Sequence, residues 1–141
     1  FGVAAEVYSA TSFNELRRDG QSAARYNLLH PEEKTARVSY VEALLGGSDA
    51  PVVAATDHIQ LYSEQIRPFL GQTTYITLGT DGFGRSDSRK KLREHFEVDR
   101  RFVTIAALRA LSMDGKIEPK IVTKAIKEFG IDPDRLDPVI L

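Results

Sequence analysis

The chain has 141 residues, enough for one domain with a core of its own. Nineteen basic against 20 acidic side chains leave a net charge of −1, which excludes the broad positive surface that nucleic acid or an anionic membrane needs, though not a local basic patch. There is no cysteine, so disulfides and thiolate metal sites are excluded and a reducing, cytoplasmic setting is compatible; no apolar run approaches the roughly 20 residues that span a bilayer.

Phe1-Gly2-Val3-Ala4-Ala5 carries no basic leader, and the only Met is Met113. The sequence is therefore expected to begin inside a longer reading frame or after processing. Residues 3–9 mix small, β-branched and aromatic side chains and predict a buried strand. Ser12 followed by Glu15 is a capping-box pattern for a helix over 12–18, which Asp19-Gly20 is expected to stop. A second helix is expected over 21–29, broken at His30-Pro31 because a residue before proline avoids the helical region. Residues 38–45 predict a short helix ended by Gly46-Gly47. The apolar run 51–55 predicts a strand, and Asp57 is expected to open a helix over about 58–67. Residues 74–78 are rich in β-formers and predict a third strand. Ser86 or Ser88 would cap a helix over about 87–96. Asp99 would cap another over about 100–113, and Pro119 opens the last, 119–129, with Ile121, Val122, Ala125, Ile126 and Phe129 on one face. Strands alternating with helices predict an α/β layered domain with a largely parallel sheet, its last third all-helical and covering a face or an edge.

The segment 79–89, GTDGFGRSDSR, is the most specific local feature. Ligands of open α/β sheets meet the loops at the carboxyl ends of strands. A glycine-rich loop there, leading into a helix, could hold an anion, with Arg85 and Arg89 assisting. The glycine spacing is neither the dinucleotide fingerprint nor a P-loop. The competing reading is that the glycines serve turns and that Ser86-Asp87 serves capping. Asp81, Gly82, Phe83, Gly84, Arg85, Ser86 and Arg89 are the candidate loop or interface residues. His30, His58 and His95 lack metal-type spacing and read as structural or solvated. Arg17-Arg18, Arg89-Lys90-Lys91 and Asp99-Arg100-Arg101 read first as solvated helix surface, and second as pairing or docking groups at a subunit boundary. No nucleophile or acid–base pair is recognisable, so no catalytic residue is assigned.

Four stretches in this order and spacing resemble one family: VYSATSFNELRRDGQ at 7–21, LLHP at 28–31, LGTDGFGRSDSR at 78–89 and LREHFEVD at 92–99. They are similar to the C-terminal domain of the homodimeric, single-chain pyruvate dehydrogenase decarboxylating component of bacteria. FGRS within the third is also similar to the Phe-Gly-x-Ser loop of transketolases. The resemblance runs over essentially all 141 residues. It implies a three-layer, transketolase C-terminal-domain-like α/β fold, with a mostly parallel sheet and helices on both faces. It implies that 1–141 is a single, N-terminally truncated domain lacking its first strand and helix. It further implies thiamine diphosphate and Mg²⁺ bound by other domains of the full-length enzyme and none in this fragment, so no catalytic, cofactor or metal residue is carried over. The implied partners are the N-terminal and middle domains of the same protein, a second subunit and the lipoyl acetyltransferase component. The implied role is structural and dimerising, in an enzyme that decarboxylates pyruvate and reductively acetylates lipoyl groups. The alternative role is an anion or small-ligand module using the 79–89 loop.

Overall fold

The computed structural model describes residues 1–140. Its first helix, α1 (Phe13–Leu29), starts where the capping pattern placed it: Ser12 Oγ accepts from the Glu15 amide at 3.2 Å. It does not stop at Asp19-Gly20. Asp19 Oδ2 instead accepts from the Tyr40 amide at 2.7 Å, tying α1 to the next helix. Gly20 lies under the Phe69 ring, where an added Cβ would come within 2.6 Å. Two residues that end isolated helices are here used for packing, and tertiary context overrides their propensity.

α1 ends at His30, and the loop that follows is fastened back onto it. Asn27 Nδ2 donates to Arg37 O at 2.9 Å while its Oδ1 accepts from Arg37 N at 2.8 Å. Tyr26 is sandwiched between the His30 ring, 3.9 Å away, and the Arg37 guanidinium, 3.4 Å from the ring centroid. Helix α2 (Tyr40–Leu45) then opens on a reciprocal capping box between Ser39 and Glu42.

Strand β1 (Val52–Ala55) and strand β2 (Tyr75–Leu78) pair in parallel, with Val52 opposite Tyr75 and Ala55 opposite Leu78. Between them the expected helix over 58–67 is much shorter: α3 spans Leu61–Glu64, and a 3₁₀ turn, Arg67–Phe69, follows. Asp57 does not cap it. Thr56 Oγ1 accepts from His58 N and Asp81 Oδ2 accepts from Gln60 N, which holds 57–60 as an irregular turn. Pro68 sits inside the 3₁₀ turn and forbids a continuous helix there.

The predicted strand at 3–9 does not form, so the described sheet has two strands rather than three. Residues 1–10 are exposed and outside regular structure, with Val7 93% accessible. A strand needs a neighbouring backbone to bond to, and residues 3–9 pair with neither β1 nor β2.

The two faces of the sheet are covered differently. Side chains alternate along a strand, so Val52, Ala54, Tyr75 and Thr77 share one face. That face packs on a core of Val41, Ile66 and Leu70, flanked by Phe13, Leu16, Leu45 and Phe69 from α1, α2 and the 3₁₀ turn. The opposite face is covered by α5 (Arg100–Met113), which runs against both strands. Leu108 of α5 turns away from the sheet toward Val122 and Ala125 of α6 (Pro119–Glu128). The α/β layering with helices on both faces, and the helical last third, are as the sequence predicted. At the rim of the first core, Arg67 Nε and Nη2 each meet a Glu64 carboxylate oxygen at 2.6 Å, and Nη1 donates to Tyr75 O at 2.9 Å. Tyr75 OH donates to Ser63 O at 2.7 Å, and burial pushes that hydroxyl well above its ordinary pKa.

Candidate functional site

The loop 79–88 leaves the carboxyl end of β2 and enters the short helix α4 (Arg89–His95), so its position matches the sequence reading. Its first half is locked to the scaffold. Gly79 is buried; a Cβ on it would lie 2.5 Å from Gln60 N and 2.8 Å from His58 O. Thr80 N donates to His58 O at 2.9 Å and Thr80 Oγ1 to Asp57 O at 2.9 Å. Asp81 Oδ2 accepts from Gln60 N at 2.8 Å. Gly82 adopts φ +105°, open to glycine and strained for other residues, and lies where a Cβ would meet Pro138 O at 2.6 Å. Gly79→Ala forces backbone apart rather than a side chain, and is expected to cost about 1–3 kcal/mol in urea unfolding. Gly84→Ala, with open space around it, is expected to change stability by no more than about 0.5 kcal/mol.

The second half of the loop is free of such ties. Phe83 is 81% exposed. Arg85 and Ser86 line a cavity of about 420 Å³ together with Asp87, Lys91, Leu92 and His95. Ser88, not Ser86, caps α4, its Oγ accepting from Lys91 N at 3.4 Å. Arg89 is exposed and does not line the cavity. The structure thus splits the seven candidates. Asp81 and Gly82 hold the loop in place, Arg85 and Ser86 face a cavity, and Phe83, Gly84 and Arg89 face outward.

Four cavity residues, Asp87, Lys91, Leu92 and His95, were not among the candidates. Lys91 and His95 stand four apart on α4 and therefore on one face. That spacing was available in the sequence, where His95 was read as structural. Burial lowers the His95 pKa, with Arg85 and then Arg135 adding to the effect. Its Nε2 is buried without a hydrogen-bond partner.

The junction beyond His95 is also unusual. Glu97 has φ +60° and sits where the α4 terminus needs a left-handed residue: Val98 N donates to Arg93 O at 3.0 Å and Glu97 N to Glu94 O at 3.4 Å. Glycine is the usual occupant. Here the side chain has a task, since Arg135 Nε lies 3.2 Å from Glu97 Oε1 and pins the C-terminal segment over the junction. Burial raises the Glu97 pKa, opposed by Arg135 and helped by Asp137. A second cleft, of about 510 Å³, lies between this junction, Gly79 and the terminal segment.

The three charge clusters separate clearly. Arg18 pairs with Glu15 on the α1 surface. Asp99 accepts from the Arg101 and Phe102 amides, capping α5, while Arg101 pairs with both Asp99 and Glu94. Among the described residues, 89–91 make no ion pair. No three His, Asp or Glu side chains among the described residues converge as a metal site would require. No helix among them is long and apolar enough to cross a membrane.

The transketolase-like TK C-terminal domain family matches residues 1–99, which include both strands, the 79–88 loop and α4. The chain belongs to that family. Similarity to individual proteins continues through α5 and α6. The pyruvate dehydrogenase E1 component of Pseudomonas aeruginosa is 57% identical over 139 residues, 99% of this chain and 16% of that protein. The components named the same way in Haemophilus influenzae and Escherichia coli are 53% and 51% identical, over 99% and 98% of this chain and 15% of each relative. The chain thus spans about one sixth of the length of these relatives.

Proposed function

We propose that this chain is an assembly lobe of a pyruvate dehydrogenase decarboxylating subunit, cytoplasmic and homodimeric, whose chemistry takes place on other domains. The observation that carries the reading is identity above 50% with such components over essentially the whole chain. Thiamine diphosphate and Mg²⁺ belong to those other domains in this reading. The described side chains here do not fit a metal–diphosphate site, so no chemical step is assigned to them. In the full enzyme the reaction decarboxylates pyruvate and acetylates the lipoyl group of the acetyltransferase component.

The geometry supports an assembly role in two ways. A two-stranded sheet leaves an unpaired edge on each strand, and such edges attract further backbone. A run of large apolar side chains is also uncovered: Val7 and Tyr8 in the first segment, Leu28 and Leu29 at the end of α1, and Val38 and Tyr40 across the loop. The Asn27–Arg37 and Tyr26–Arg37 contacts hold that loop firmly, so its apolar residues form a prepared surface rather than a loose end. The remaining domains of the same polypeptide and the second subunit are its proposed cover.

The test compares two proteins. The 141-residue chain alone should neither decarboxylate pyruvate nor show tight, Mg²⁺-dependent binding of thiamine diphosphate by calorimetry. In the full-length subunit, Leu28→Asp should weaken dimerisation or domain docking at least about tenfold by sedimentation, because an apolar anchor at a buried interface is worth about 1–3 kcal/mol. Tight, Mg²⁺-dependent cofactor binding by the isolated chain would overturn the reading, as would unchanged assembly and activity of the Leu28→Asp enzyme.

A further inference from the structure

The cavity at the start of α4 is positively charged, and its charges are uncommitted. Arg85 and Lys91 contribute two cations to its lining, and among the described residues neither side chain makes an ion pair or hydrogen bond. The one acid in the lining, Asp87, has Oδ1 occupied by Ser88 N at 2.6 Å. His95 closes the inner end. Its ring is set edge-on to Phe96, with centroids 4.9 Å apart, and its Nε2 is buried with no partner. Lys91 and His95 reach the cavity from one face of the helix, and Arg85 reaches it from the loop.

We propose that Arg85, Lys91 and His95 form a binding site for a small phosphate-type oxyanion, such as the phosphoryl group of a metabolite. The His95 ring forms part of the wall beside the anion. The Arg85 guanidinium offers a planar fork to two oxygens, and Lys91 supplies a movable charge. About 420 Å³ suits a small ligand. The loop that carries Arg85 to this site starts from an anchored base at Asp81 and Gly82. The site requires no contribution from the assembly surface, so it stands or falls separately from the role proposed above.

The imidazole signals of the 141-residue chain provide the test. There are only three histidines, and His95→Asn identifies the relevant resonance. Inorganic phosphate, added at constant ionic strength of about 150 mM, is expected to shift the His95 signal saturably with a midpoint in the millimolar range or below, and to raise its titration midpoint. His30 and His58 should not move. Arg85→Gln and Lys91→Gln should each weaken binding about tenfold, as expected for loss of a charge-assisted contact. Both residues are exposed, so either variant should fold. The proposal is overturned by no saturable shift up to about 20 mM phosphate, by an equal shift with chloride, or by undiminished binding in both variants. A shift produced by polyglutamate but not by phosphate would also overturn it, by assigning the patch to an acidic polypeptide instead.

Discussion

Leu70→Ala is expected to lower the unfolding free energy of the chain by about 2–5 kcal/mol, seen as a fall in the urea midpoint at unchanged slope. Leu70 is 1% exposed and is the largest of the fully buried side chains. It sits where three elements meet: Val41 arrives from α2, Ile66 from the approach to the 3₁₀ turn, and Tyr75 from β2. Cβ truncation there leaves a void that none of them can fill alone, because Val41 is anchored by the Ser39–Glu42 capping box and Tyr75 by its bond to Ser63 O. With total stabilities of small domains near 5–15 kcal/mol, this loss is a large fraction of the whole. Leu28→Ala is the internal contrast. Leu28 is 77% exposed in this chain, so its truncation should change stability by no more than about 0.5 kcal/mol here. A larger penalty for the same change in the full-length subunit would locate the missing cover at the end of α1.

Where the sequence reading succeeded, local chemistry and tertiary structure point the same way. Ser12, Ser88 and Asp99 each cap the helix that their position announces, and Pro119 opens α6. The α5 and α6 boundaries were legible because Asp99 caps the first, Pro119 opens the second, and each helix carries its own apolar face. The reading failed where long-range partners decide. Asp19-Gly20 resembles a helix stop, and only the positions of Tyr40 and Phe69 explain why it is not one. Residues 3–9 have the composition of a strand, but pairing is a property of two segments and cannot be read from one. Asp57 resembles a cap, yet the bond that shapes 57–60 comes from Asp81, 21 residues beyond Gln60.

The candidate site was legible by place more than by residue. The position of the 79–88 loop after a strand was enough to locate it, and Arg85 and Ser86 do face a cavity. The loop is not one functional unit. Gly79, Asp81 and Gly82 hold geometry, and the groups that complete the cavity lie on the next helix, Lys91 and His95 among them. Glu97 was beyond reach for a different reason. A left-handed glutamate is intelligible only once Arg135, 38 positions later, is seen to hold it.

The helical tail supplies the second large expected effect. α5 serves two neighbours at once, and its sequence divides them by side-chain size. Leu108 packs against Val122 and Ala125 of α6. Ala106 and Ala110 are buried at i and i+4, each about 200° around the helix from Leu108, which directs them to the sheet. Ala110 is 0% exposed. Small side chains at these two positions let the helix lie close over two short strands, while the bonds of Thr74 to Asp114 and of Lys116 to Asp49 fasten its far end. Ala110→Leu therefore has no free volume to occupy and must lift α5 from β1 and β2. A loss of about 1–3 kcal/mol is expected in urea unfolding, with earlier hydrogen exchange of the β1–β2 amides. Arg109→Ala, one residue away but exposed, should fall within about 0.5 kcal/mol of the parent chain. If Ala110→Leu were neutral, α5 would not be in close contact with the sheet. The layer that the family match over residues 1–99 leaves outside would then be an appendage rather than one wall of the fold.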